Sequence, residues 1–490
     1  MSSSADALRQ SLVEIDDEIE RWHAHLNLLQ AKRTSILTSL DAVVYPVLTL
    51  PVEVTTEIFQ HFTRSVAIGG SYTGKGPFIL ASVCRAWRAI ALAIPMLWSN
   101  IYIQEADTLS REDSDNGLCS LLELCLSRAG QHLLSVDATY IAPESSLLPL
   151  LLNHSPRWED FYYEISWPNP LPLDGLALPN LSTLWLTGPP NSFVEPFPER
   201  ITAFSRAPAL RKLQLCDIPF PNIEIPWAQL SSLILAGYPT QQCAEMLRQT
   251  SHLLELYLQY SFGDWNMPED HVFVPSMTKL AVTGGSLASL AALAFLVVPG
   301  LKHLEVGITG SHPQEYELLS EFVLGSGCAL ESLSVRDVYM SAPGEAVLDL
   351  PGLLRRVPSV KKLCIDNMSW EALEQLLGAM KILPGLNVLL PNLEDFEIST
   401  HAPRVPYPDV ADILQERRVG RRASDGEETS ANEELYEAEF GGDVAQLHRF
   451  RLKISSTERW KDEENKQTLL RMAAEGRDIK LDTLKICEGQ

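Results

Sequence analysis

One six-residue form recurs through most of this chain and restricts its fold more than any other feature. LSTLWL at 181, LRKLQL at 210, LSSLIL at 230, LLELYL at 253, MTKLAV at 277, LKHLEV at 301, LESLSV at 330, VKKLCI at 360, LEDFEI at 393, LHRFRL at 447 and LDTLKI at 481 all read apolar-x-x-apolar-x-apolar, and WEDFYY at 158 is a weaker relative. From 158 to 330 the starts lie 20 to 29 residues apart, and later gaps of 30 and 33 stretch the period. Apolar residues alternating at the fourth and sixth positions predict a short strand in each repeat. The spacers, such as QQCAEMLRQT at 241 and SLASLAALAFLVV at 286, read as helices. One strand and one helix cannot bury an apolar face alone, so neighbouring repeats must stack. The expected architecture over 104–490 is an α/β repeat solenoid with a parallel sheet.

Pro179, Pro208, Pro275, Pro299, Pro358 and Pro391 each stand two residues before a hexad. Proline stops a preceding helix and favours extended backbone, which is what the start of a strand needs. The period and the hexads resemble leucine-rich repeats, which implies a horseshoe with the strands on its inner face. The Asn or Cys expected after the third apolar position is missing, so irregular curvature is expected. Alternation points the residue between the fourth and sixth positions away from the core. Trp185, Ile234 and Tyr257 take that slot in early repeats, whereas Asp395 and Glu397, then Arg449, Arg451 and Lys453, crowd the late ones. An apolar zone beside paired charges is what selective capture of a target protein requires, so these eight residues are the candidate target-binding set.

The 490 residues exceed what one core supports, and 39 Lys plus Arg against 63 Asp plus Glu give a net charge of −24. That balance repels phosphate backbones, so protein partners are expected and nucleic acid is not. The apolar run at 287–298 is too short to span a bilayer. No secretory or transit segment is legible at the start, and the 8 cysteines are scattered without metal spacing, so reduced thiols and a cytoplasmic or nuclear location are expected. No nucleophile, metal or dinucleotide motif is present, so neither catalysis nor a cofactor is expected.

Residues 1–45 read as a heptad helix. Leu8, Leu12, Ile15, Ile19, Trp22, Leu26, Leu29, Ile36 and Leu40 alternate by four and three, interrupted by Arg33, and Asp6 is placed to cap the start. Such a seam over residues 8–40 pairs either with a second copy, as a weak homodimer, or with its own chain. An Arg in the seam weakens a parallel dimer.

Residues 46–103 predict two helices. Pro51 opens the first, with Val54, Ile58 and Phe62 on one stripe; the second carries Ile79, Val83, Trp87 and Ile90 and stops at Pro95. LPVEVTTEIF, VCRAWRAIA and PMLW, in that order, resemble the F-box family, especially fungal F-box-like proteins in which a heptad helix precedes the box. The resemblance covers about fifty residues and implies a small all-α domain that docks a Skp-type adaptor and, through it, a cullin-based ubiquitin ligase. It carries Leu50, Pro51, Glu53, Ile58, Phe59, Cys84 and Trp87 over to the adaptor contact. The whole chain then reads as the substrate-recruiting subunit of such a ligase, its target unidentified, or as a repeat scaffold with an F-box-like core and no ligase coupling.

Within the box, 65–78 forms a glycine-rich insertion in which Gly69, Gly74 and Lys75 match a phosphate-binding loop. Gly76 and Pro77 replace the Ser or Thr that would hold magnesium, and a helix precedes the loop, so a mobile connection is expected rather than a nucleotide site. A polar tract at 403–444 interrupts the repeats and is expected to be disordered. Its Ser424, between Arg421-Arg422 and Asp425, Glu427 and Glu428, is a candidate kinase substrate.

Overall fold

The computed structural model describes residues 2–41, 49–62, 65–69, 76–104, 112–141, 145–165, 175–189, 200–259, 268, 270–284, 287–308, 313–336, 350–368, 370–381, 387–400, 407–417, 445, 447–454 and 478–483. The chain forms two compact units, Met1–Val66 with Gly74–Trp98, and Ala67–Thr73 with Ser99–Gln490.

The first unit is helical: α1 (Ser2–Asp41), α2 (Val52–Phe62), α3 (Pro77–Val83), α4 (Arg85–Ala93) and a closing 3-10 turn at Pro95–Trp98. Helix α1 covers the whole heptad pattern but begins upstream of Asp6, which therefore is not its cap. The second expected helix is two. Cys84 is extended (φ −156°, ψ 172°), ends α3, and caps α4 by accepting the Trp87 N–H on Sγ at 3.4 Å. The core holds Phe59, Leu80, Ala91, Leu97 and Trp98. Trp98 donates from Nε1 to the Ala91 carbonyl at 2.9 Å and meets Phe78 edge to face at 5.0 Å, which clamps the last turn onto α3 and α4.

The second unit is built on a fifteen-stranded sheet in the order β1 (Val66–Ile68), β2 (Asn100–Gln104), β3 (Leu134–Tyr140), β4 (Trp158–Glu164), β5 (Thr183–Thr187), β6 (Lys212–Cys216), β7 (Ser232–Ala236), β8 (Glu255–Gln259), β10 (Lys279–Thr283), β12 (His303–Gly307), β13 (Ser332–Arg336), β14 (Lys362–Met368), β15 (Asp395–Thr400), β16 (Arg449–Ile454) and β17 (Asp478–Thr483). Two short strands, β9 (Val272–Phe273) and β11 (Leu296–Val297), pair separately. Every described pairing from β2 to β17 is parallel, as a chain of stacked repeats demands. The fourth hexad position forms one in-register column, Leu184, Leu213, Leu233, Leu256, Leu280, Leu304, Leu333, Leu363, Phe396 and Phe450, all buried.

Several boundaries differ from the sequence reading. Strand β2 belongs to the sheet, so the helical unit stops at Trp98; WSNIYI at 98 itself fits the hexad form. The final strand pairs Ile479 with Phe450 and Leu481 with Leu452, five residues ahead of the expected hexad. The glycine-rich insertion is ordered at both ends, by β1 and by the start of α3, so a strand does precede Gly69. Gly76 has φ +77°, and a Cβ there would stand 2.3 Å from the Ser65 carbonyl oxygen; that glycine is required by the turn itself. Gly74 and Lys75 lie outside the described residues.

The spacers vary more than their sequences implied. Helix α5 (Glu112–Arg128) leads to β3, α6 (Leu147–Leu152) to β4, and α7 (Thr240–Leu247) to β8. The SLASLAALAFLVV segment forms a short helix α8 (Leu287–Leu290), a 3-10 turn (Ala291–Phe295) and then β11. Further on stand α9 (Pro313–Ser326), α10 (Leu350–Arg355), α11 (Trp370–Met380) and α12 (Tyr407–Glu416).

Helix α12 falls inside the tract expected to be disordered. Val410, Ile413 and Leu414 are buried, and the fully buried Arg417 donates from Nη1 to the Leu390 carbonyl at 2.9 Å and from Nη2 to that of Leu389. Lys381 bridges Asp409 at 2.6 Å and Asp412 at 3.4 Å. The tract's charge concealed this short amphipathic element. Residues 418–444, Ser424 among them, lie outside the described residues.

The prolines close a recurring turn. The N–H of the first hexad residue donates to the carbonyl of the residue before proline in Leu210 to Ala207 (3.2 Å), Met277 to Val274 (3.3 Å), Leu301 to Val298 (3.2 Å), Val360 to Val357 (3.2 Å) and Leu393 to Leu390 (3.2 Å). Proline thus occupies the second position of a β-turn, where its fixed φ fits. At four of the six prolines the residue after it ties the chain to the preceding repeat. Asn180 donates to Pro156 O (2.8 Å), Ser276 to Leu253 O (2.8 Å), Ser359 to Leu330 O (2.8 Å) and Asn392 to Pro358 O (3.0 Å). This supplies a polar link between repeats at a different place from the missing Asn or Cys.

Candidate interaction surfaces

Helix α2 turns its residues the opposite way from a simple amphipathic reading. Thr55 and Phe59 are buried, whereas Val54, Ile58 (45 %) and Phe62 (60 %) are exposed. Thr55 Oγ1 returns its proton to the Pro51 carbonyl at 3.1 Å, which holds the first turn, and Phe59 packs edge to face on Trp87 with centroids 5.0 Å apart. Leu50, Pro51, Val52 and Glu53 are exposed at the same end, and α3 adds exposed Ile79 and Val83. An apolar stripe left in water while Phe59 fills the core is an unfavourable arrangement for a free surface and a suitable one for a helical partner.

Of the seven residues carried over to an adaptor contact, Leu50, Pro51, Glu53 and Ile58 are exposed. Phe59 is not: it is wholly buried, so it supports the surface from behind instead of forming it. Trp87 and Cys84 are half-buried, the former edge to face with Phe59 and the latter engaged as the α4 cap. Trp87 Nε1 is buried and has no hydrogen-bond partner among the described residues.

On the sheet, the slot between the two buried columns forms a continuous row whose register runs Tyr102, Asp137, Tyr162, Trp185, Gln214, Ile234, Tyr257, Ala281, Glu305, Ser334, Cys364, Glu397, Arg451, Lys480. Trp185 is 40 % exposed and meets the Tyr162 ring with centroids 5.5 Å apart. Gln214 separates Trp185 from Ile234. Tyr162 and Tyr102 escaped the sequence reading because WEDFYY was a weak hexad and the β2 segment had been assigned to the helical unit. Burial pushes the Tyr162 phenol above its usual range, and the carboxylates of Asp160 and Asp137 push it further, so this end of the row stays neutral in its phenol and acidic around it. Tyr257 is half-covered by Lys279, whose Nζ sits 5.0 Å from the ring centroid.

Four of the late charges lie opposite one another across neighbouring strands. Asp395 and Arg449 are directly opposed with Arg449 Nη1 3.5 Å from Oδ2, and Glu397 and Arg451 likewise at 3.5 Å. These cross-strand pairs set opposite charges side by side on the sheet, with Arg449 exposed and Arg451 half-buried. Lys453 stands in register with Ser399 and Asp482.

Among the described residues no helix is long and apolar enough to cross a membrane, and no group of three His, Cys, Asp or Glu side chains is placed to hold a metal ion. No protein-family model matches the sequence, and no curated protein matches it either.

Proposed function

We propose that this chain is the target-recruiting subunit of a cullin-based ubiquitin ligase: the helical unit docks a Skp-type adaptor as an F-box does, and the leucine-rich-repeat-like unit holds a target protein. The observation that carries this reading is the outward apolar stripe of Val54, Ile58 and Phe62, continuous with Leu50 and Pro51 and fixed in place by the buried Phe59. Catalysis by such a subunit is proximity: it raises the local concentration of a target lysine at the transfer machinery and needs no reactive group of its own. The Tyr162 and Trp185 pair, beside Asp137 and Asp160, is the part of the sheet best suited to the target, since an exposed tryptophan and a half-buried tyrosine next to two carboxylates select an apolar and basic segment. The compartment this implies is the cytoplasm or nucleus. Affinity isolation of the tagged chain from its source cells tests the reading. Adaptor and cullin co-purify, and Tyr162→Ala with Trp185→Ala depletes other partners while retaining both.

A second reading, a repeat scaffold uncoupled from any ligase, is favoured by the burial of Phe59, which removes one carried-over contact from the surface. It predicts recovery of partner proteins with no adaptor.

A further inference from the structure

Among the described residues nothing covers the seam of helix α1: every residue from Leu8 to Leu40 is exposed, Leu8, Leu12, Ile15, Ile19, Trp22, Leu26, Leu29, Ile36 and Leu40 included. An apolar stripe of this length in water, broken only by Arg33, requires a covering surface. The helix itself specifies which one.

Charge is divided along α1. Glu14, Asp16, Asp17, Glu18 and Glu20 stand in the first half against Arg9 and Arg21, whereas from Asn27 to Leu40 the charged residues are Lys32 and Arg33. In a parallel pair, Arg33 would face Arg33 in the seam, and no flanking position would bring a carboxylate to a Lys or Arg across it. In an antiparallel pair, seam positions of the two types face each other. Leu8 then lies against Leu40 of the second copy, Leu12 against Ile36, Ile15 against Arg33, Ile19 against Leu29 and Trp22 against Leu26. The seam closes flush at both ends. Arg33 packs its stem on Ile15 with Asp16 adjacent, and Glu18 faces Lys32 at two symmetry-related places.

We propose that α1 is an antiparallel homodimerisation helix whose two-fold axis passes between the Trp22 and Leu26 layers. The dimer sends the two Leu40 ends out at opposite ends of a rod about 50 Å long. One assembly thus presents two copies of each surface described above. This inference stands apart from the adaptor reading and survives its failure.

The test uses the full chain. Sedimentation equilibrium shows a concentration-dependent dimer. Under oxidation, Leu12→Cys with Ile36→Cys forms a covalent dimer beyond the background of the unsubstituted chain, whereas Leu12→Cys alone does not. Glu18→Lys loosens the dimer by roughly fivefold, and adding Lys32→Glu restores it. These positions are exposed, so circular dichroism of each variant should match the parent. A monomer at every concentration, covalent dimer from Leu12→Cys alone, or a double charge swap no tighter than the single change would each overturn the proposal.

Discussion

The rings of Phe59 and Trp87 meet edge to face, with centroids 5.0 Å apart and planes at 64°. This contact sets the rotation of α2 about its own axis. With Phe59 turned inward, Val54 and Ile58 point about 100° or more away from it, and Phe62, at the edge of the same stripe in the last turn, is exposed as well. The exposure of the stripe is therefore a consequence of core packing.

Two opposite outcomes follow for neighbouring residues. Phe59→Ala leaves a cavity in a small core and should destabilise the helical unit by about 3–5 kcal/mol. Ile58→Asp with Phe62→Asp should change its stability by less than about 1 kcal/mol. Chemical denaturation followed by tryptophan fluorescence separates them.

The proline turns predict graded effects. Ser359→Ala and Asn392→Ala each remove one link to the preceding repeat and should cost about 1 kcal/mol. Gly300→Ala is harsher, because its Cβ would sit 2.5 Å from the Pro275 carbonyl oxygen, backbone that cannot move without shifting the adjacent turn. A loss of about 1–3 kcal/mol in thermal or urea unfolding is expected.

Arg417 is the residue that makes α12 part of the array. Arg417→Ala abandons the buried carbonyls of Leu389 and Leu390 and should cost about 2–4 kcal/mol. Limited proteolysis should then cut within 407–417 in the variant and spare it in the parent.

Buried thiols give a pH dependence of known sign. Burial pushes Cys125 and Cys243 up to about 12 from the ordinary 9.0, with Arg128 opposing slightly at Cys125. Their neutral form is the one the fold retains. The stability it contributes is complete below pH 9 and is lost as pH climbs toward 12. Melting temperature should fall between pH 9 and 11, and both thiols should resist iodoacetamide at pH 8 in the native state while reacting in urea.

The sheet was legible because its signal recurs: Leu184, Leu213 and their successors hold the same place in each hexad, and the column they form needs only strand geometry to predict. Side-chain direction on the sheet was legible for the same reason, and Trp185 emerged on the open face. The pairing of the charged slots was not legible, because alternation gives a side chain's direction and not its neighbour: Glu397 and Arg451 are 54 residues apart in sequence yet opposed in register. Helix α2 misled differently. A stripe of Val54, Ile58 and Phe62 looks like a core face, and only the packing of Phe59 on Trp87, a contact between two helices, reveals that it points outward. The break at Cys84 was likewise invisible, since its φ and ψ depend on a cap that apolar periodicity does not encode.

Calorimetric titration of the purified full-length chain with a purified Skp-type adaptor tests the central claim most directly. Binding with a negative heat-capacity change, weakened at least tenfold by Ile58→Asp with Phe62→Asp while the fold is retained, is the predicted result. Absence of binding by the parent chain, or equal affinity in the doubly substituted one, would contradict it.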